Sequence, residues 1–301
     1  MNAQLGNFTL TTALLAIGTL PAAAHDGEPH ASAFPWTFDP WIVTPIAIAG
    51  GLYALGSVKL QQRANRPLSV INSGILYWAG WLSLVSALVS PLHFLGEHLF
   101  TFHMIEHELV MAVAAPLVVL ARPVGMFLWG LPRPLRHLVR DVMKTGLVWR
   151  TWNALSAGTP ATLLHGLAIW AWHAPVLFDA TVTDILLHRL QHLSFFVTAV
   201  MFWWAMIWRS DRGMAAWHLF LTMLHTSILG ALIALSPQVA YVSQTRMVRE
   251  WGLTPLEDQQ LAGLVMWVPG GIIYAGAALA MLALWIAGSN RGGLDASRVH
   301  S

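Results

Sequence analysis

Seven apolar runs, each near the length that crosses a bilayer, constrain this chain more than any other feature. They fall at about residues 41–58, 74–93, 101–121, 160–177, 187–208, 215–236 and 262–287. A helix rises about 1.5 Å per residue, so roughly 20 residues cross a hydrocarbon layer of about 30 Å. No water reaches the backbone there, and a helix bonds its own N–H and C=O groups. Charged residues make up only 10% of the chain, against about 25% in soluble domains. The sequence therefore predicts an all-α polytopic membrane bundle of seven transmembrane helices. Sixteen tryptophans against four tyrosines fit the indole enrichment at membrane interfaces.

The ends and the orientation follow from smaller signals. Residues 1–24 read as a signal peptide: Phe8 to Leu20 is apolar but short, and Pro21-Ala22-Ala23-Ala24 ends in a small-residue cleavage pattern. Cleavage there makes His25 the new N-terminus, which either chelates a metal through its amine and ring or simply begins a disordered polar tail, the reading the residues favour. Residues 25–40 then form a periplasmic N-terminal segment, 41–288 the membrane domain and 289–301 a cytoplasmic tail. Thirteen of the sixteen basic residues lie in the first, third and fifth loops and the tail. The positive-inside rule makes that side cytoplasmic and the N-terminus external. In the third loop, Pro132 to Arg140 carries basic residues four apart, as an amphipathic surface helix on lipid does. A net charge of +2 points away from nucleic acid, and the absence of cysteine excludes disulfides and thiolate sites.

The histidines are the chemically informative residues. His103-Met-Ile-Glu106-His107 opens the third run and His188-Arg-Leu-Gln-His192 opens the fifth. Residues four apart on a helix differ by about 40° around the axis and about 6 Å along it, so each pair faces one way. Polar rings in a membrane helix are costly unless they have a partner. With the topology above, His93, His98, His103, His107, His173, His188 and His192 all lie at the outer leaflet. His98 is turned away from His107, while His165 and His218 read as hydrogen-bonded packing residues. Thr254-Pro255-Leu256-Glu257 is a capping box that starts the seventh helix about two turns before its apolar run. Asp258 and Met266 then share a face, a water-side carboxylate above a thioether, as a gate to the site. His225, at mid-membrane in the sixth run, marks its inner limit.

Imidazoles with methionine nearby and no cysteine suit copper better than the hard ions. Haem b, held between facing helices by an electron carrier, is the rival ligand. A metal-free scaffold whose histidines bond one another is the third reading. His103-x-x-Glu106-His107 also fits the inverted zinc-protease pattern, but no clear acidic third ligand follows downstream.

The chain resembles the CtaG-type cytochrome c oxidase assembly proteins, a seven-span family. The resemblance rests on His103-Met-Ile-Glu-His107 with Ala115-Pro116-Leu117 and Arg122-Pro123, on Trp170-Ala-Trp-His173-Ala-Pro175, on His188-Arg-Leu-Gln-His192, and on Pro255 to Trp267. It implies His103, His107, His173, His188, His192, Asp258 and Met266 as the functional set. It also implies copper supply to the CuB centre in subunit I of a haem–copper oxidase, with a periplasmic copper donor upstream and no enzymatic step. Glu106 departs from the glutamine often found at that position of the family, adding a ligand or a hydrogen-bond partner.

Overall fold

The computed structural model describes residues 35–62 and 68–299. The expected signal peptide, His25, most of the N-terminal segment and the loop arginines Arg63 and Arg66 lie outside them. Among the described residues the chain is helical with no strand. We number the helices α1 (Pro40–Gln61), α2 (Leu68–Leu88), α3 (Pro91–His98) and α4, which runs Phe100–Ala121 through a π-helical turn at Leu109–Ala114. Then come α5 (Val124–Gly130), α6 (Arg133–Met143), α7 (Gly146–Leu155), α8 (Gly158–Trp172), α9 (Pro175–Thr183), α10 (Ile185–Arg209) and α11 (Arg212–Ala234). The last, α12, joins Pro255–Val265 and Gly271–Val299 through a π-helical turn at Met266–Gly270. It extends well into the segment expected as a tail.

Five of these helices are long and apolar enough to cross a membrane, and the bent pairs α2/α3 and α8/α9 bring the number to as many as seven. The chain is a multi-pass membrane protein. Both bends are written in the sequence. Ser90 Oγ accepts the amide of Leu92 at 3.1 Å ahead of Pro91, restarting the helix after a 44° turn. At His173 the fourth span breaks before Pro175 and turns 71°. Pro116 and Pro269 break nothing. The π-helical turns beside or around them accommodate the missing amide.

The third loop is itself helical, as α5, α6 and α7. Of these only α5 packs deeply, against α1. At the opposite end of α1, Asp39 accepts the Trp41 amide at 3.0 Å and holds Arg189 of α10 by two bonds of 2.8 and 3.1 Å. This pins the start of α1 to the start of α10.

The packing of α11 on α12 is backbone on backbone. A Cβ added at Gly230 would lie 2.7 Å from Trp267 N, and one at Gly263 2.7 Å from Gly230 O. Small residues permit such approaches in membranes, where packing rather than hydrophobicity drives association. Gly263→Ala is expected to cost about 1–3 kcal/mol, read as a lower Tm in detergent. An unchanged Tm contradicts this crossing.

Candidate metal centre

Four helix segments bring six imidazoles together at one end of the bundle. Ring centroids of His103 and His107 on α4 are 4.3 Å apart, and those of His188 and His192 on α10 are 4.7 Å apart. The two pairs face each other: His103 is 5.6 Å from His188, and His107 is 5.3 Å from His192. His173, at the α8/α9 break, stands 5.8 Å from His107. His93, carried in by α3, stands 5.6 Å from His188 and 6.1 Å from His192.

Within this cluster two trios place one ligand atom per residue within 4.8 Å of one another: His93, His188 and His192, and His103, His107 and His192. His192 belongs to both. Two nitrogens each about 2 Å from one ion stand at most about 4 Å apart, so shifts of under an ångström close either trio on a metal. The inner trio is wholly buried, while the outer one reaches half-buried His188.

The hydrogen bonding fits a ligand. Both ring nitrogens of His103 and His107 are buried without a hydrogen-bond partner, as are Nε2 of His173 and Nδ1 of His192. Buried polar atoms are almost always paired in folded proteins, so this concentration of orphans needs an explanation that packing does not supply. His173 Nδ1 donates to the carbonyl of Ile169 at 2.7 Å, leaving the Nε2 lone pair open. A second ring nitrogen fixed by a carbonyl is how metal-binding histidines are oriented. Nε2 of His188 and Nε2 of His192 lie 2.8 Å apart.

Glu106 holds the cluster from behind. Its Oε1 is hydrogen-bonded to His93 Nδ1 at 2.7 Å, while Oε2 is buried, unpaired and 4.0 Å from His103 Nδ1. Gly96 makes room for it, since a Cβ there would come 2.8 Å from the carboxyl carbon. The carboxylate therefore sits between α3 and α4 as an orienting group.

Asp258 is not a water-side carboxylate. It is fully buried, and its oxygens accept the amides of Phe100 at 2.7 Å and Thr101 at 3.0 Å, together with the Thr101 hydroxyl at 2.7 Å. The residue at the N-cap of α4 is Leu99, which has no acceptor. Asp258 supplies from another helix the cap that α4 lacks, favourable at the positive end of the dipole. The capping box that positions it is present: Thr254 Oγ1 accepts from Glu257 N, and Glu257 Oε2 accepts from Thr254 N at 2.8 Å. Met266 is buried in the core and opens the π-helical turn of α12, which packs against the start of α4.

His225 does not join the cluster. Its Nδ1 accepts from Trp170 Nε1 at 3.3 Å and its ring lies against Gly166. Gly166 is about 10 Å along α8 from His173. His98 turns away, its Nδ1 2.7 Å from Phe94 O. His165 and His218 are hydrogen-bonded, to Thr198 and Tyr274 and to Thr162 respectively.

One cluster member lay outside the expected set: His93. It has no histidine partner four residues away, and only the bend at Pro91 swings it inward. Its position at the outer end of the second run was the available signal.

A family model described as cytochrome c oxidase caa3 assembly factor (Caa3_CtaG) matches residues 51–288. Two curated relatives, an uncharacterized protein of Mycobacterium bovis and one of Mycobacterium tuberculosis, are each 26% identical over 249 residues, covering 77% of this chain and 36% of theirs. The chain thus spans about a third of the length of the curated relatives it matches. No solved structure matches it.

Proposed function

The chain belongs to the cytochrome c oxidase caa3 assembly factor family, and from that premise we propose that it receives copper at its histidine cluster and delivers it to the oxidase during assembly. The observation that carries this reading is the set of orphaned, buried ring nitrogens on His103 and His107, converging with His192. A metal-free scaffold whose histidines bond one another does not account for them. Rings packed 4.3 to 6.1 Å apart from four segments suit a small ion better than a porphyrin.

Copper enters at the outer trio, His93, His188 and His192, where His188 is half-buried. It moves inward when His103 and His107 displace His93 and His188 while His192 stays bound. Ligand exchange of this kind breaks no covalent bond, so no enzymatic step is required. Neutral imidazoles and a thioether suit copper(I), and Met266 is the soft ligand for the onward exchange. The recipient is the CuB site of subunit I, and a periplasmic copper carrier is the donor. The excess of basic residues in the loops at the other end of the bundle supports a cluster that faces the periplasmic side of the cytoplasmic membrane.

A copper(I) titration of the purified full-length protein against a chromophoric chelator tests this, and saturation at one or two ions per chain is expected. No binding beyond that of a control membrane protein, or a Soret band in the absorption spectrum, rejects it. Glu106→Gln keeps an acceptor for His93 but removes the charge. It should weaken copper binding by about tenfold, as loss of a carboxylate behind a histidine ligand does, with little change in Tm. If Glu106 is itself a ligand, Glu106→Gln instead behaves like loss of a cluster histidine.

A further inference from the structure

At the end of the bundle opposite the histidines, a polar recess of about 310 Å³ opens between the last turn of α1 and the first turn of α6. Among the described residues three cations line it, Lys59, Arg133 and Arg136, and no acid does. Two of them are held in place by the turn between α5 and α6. Lys59 Nζ donates to Gly130 O at 3.0 Å, and Arg136 Nη2 donates to Trp129 O at 3.3 Å and Leu131 O at 3.1 Å. The guanidinium of Arg136 also lies over the Trp129 ring at 4.7 Å. Its Nε is buried without a hydrogen-bond partner. A guanidinium anchored in this way, beside two more cations, has the chemistry of an anion receptor.

The surroundings say what carries the anion. In α6 every described residue is exposed except Arg136, which is half-buried. One side of the helix presents Leu135, Leu138, Val139, Val142 and Met143 to the outside. The other carries Arg133, Arg136, His137 and Arg140, with one acid, Asp141, paired to Arg140 at 3.2 Å. A short helix so divided, linked through α5 and α7 to the ends of membrane spans, lies in the bilayer interface with its apolar side toward acyl chains. We propose that the recess binds the phosphate of an anionic phospholipid, whose acyl chains run along the apolar side of α6. A zwitterionic headgroup brings an ammonium next to Lys59, Arg133 and Arg136, with no acid among the described lining residues to receive it, so the site selects phosphatidylglycerol-type lipids. The site is independent of the copper reading.

Native mass spectrometry of the full-length protein, with phosphatidylglycerol or phosphatidylethanolamine added in equal amounts, tests this. Phosphatidylglycerol should be retained about tenfold more strongly, because the ammonium of phosphatidylethanolamine is repelled by the three cations. Arg133→Gln, at an exposed position, should cut that preference several-fold with Tm unchanged. Arg136→Lys keeps the charge but loses the planar fork and should do the same. Equal retention of the two lipids overturns the proposal, as does an unaltered preference in Arg133→Gln combined with Lys59→Gln. Displacement of the lipid by millimolar inorganic phosphate at matched ionic strength assigns the recess to free phosphate and overturns the lipid assignment. Copper binding should be unaffected in all of these variants.

Discussion

Replacing His103 and His107 together by alanine should reduce retained copper to background, a loss of at least a hundredfold in affinity or about 2.7 kcal/mol. The protein should stay in the membrane at near-normal abundance. Neither ring has a hydrogen-bond partner of normal geometry, and His103 only approaches Glu106, at 4.0 Å, so their removal costs mainly packing. His165→Ala is the matching control. That ring is just as buried, but its nitrogens are bonded to Thr198 Oγ1 and Tyr274 OH, each at 3.2 Å. Its loss should lower stability and leave copper in place. In cells, the double variant should yield an oxidase deficient in CuB, whereas His165→Ala at matched abundance should not. Copper retained equally by the double variant and the wild type would remove the cluster from the account. Equal losses in the double variant and in His165→Ala would mean that the fold, not the site, had been probed.

The second large effect is at Asp258, and it is on stability. Asp258→Ala leaves the amides of Phe100 and Thr101 without an acceptor in a buried setting, and each bond to a charged acceptor is worth about 1.5–3 kcal/mol. The expected loss is about 3 kcal/mol or more, with the start of α4 the first segment to exchange its amides. Copper affinity should fall with it, because His103 sits one turn into that helix. Asp258→Asn retains one acceptor oxygen and should show a smaller loss of the same kind. Oriented vesicles separate this from gating. A capping residue changes Tm and final occupancy together, whereas a gate slows uptake at unchanged Tm. Normal Tm with slow loading in Asp258→Asn contradicts the structural role and restores the gate.

These sites show what could be read from the sequence and what could not. The four-residue spacing within each histidine pair fixes both rings on one helix face wherever the helix goes, so their pairing was legible. The facing of one pair toward the other depends on packing of α4 against α10, and depth in the membrane was enough to anticipate it. His93 depends on a 44° bend, and a proline in an apolar run signals a break without giving its direction. Asp258 was correctly placed on the helix that begins at Thr254, but its partner lies 158 residues away. The signal was at the other end: Leu99 is a poor N-cap, so α4 required an acceptor from elsewhere. Glu106 was read as either ligand or hydrogen-bond partner, and its contact with His93 favours the second. The loop after the third span reads as polar and basic, and only α6 of its three helices has the periodicity to be noticed.

The central claim is that copper is held by imidazoles drawn from α4 and α10. X-ray absorption of the copper(I)-loaded full-length protein, after passage over a chelating resin, tests it most directly. The account predicts that about one copper per chain survives the resin. It also predicts a nearest-neighbour shell of nitrogens with the outer-ring scattering of imidazole, lost in His103→Ala combined with His107→Ala. Copper stripped completely by the resin, or a shell of oxygen or sulfur without imidazole scattering, would contradict it.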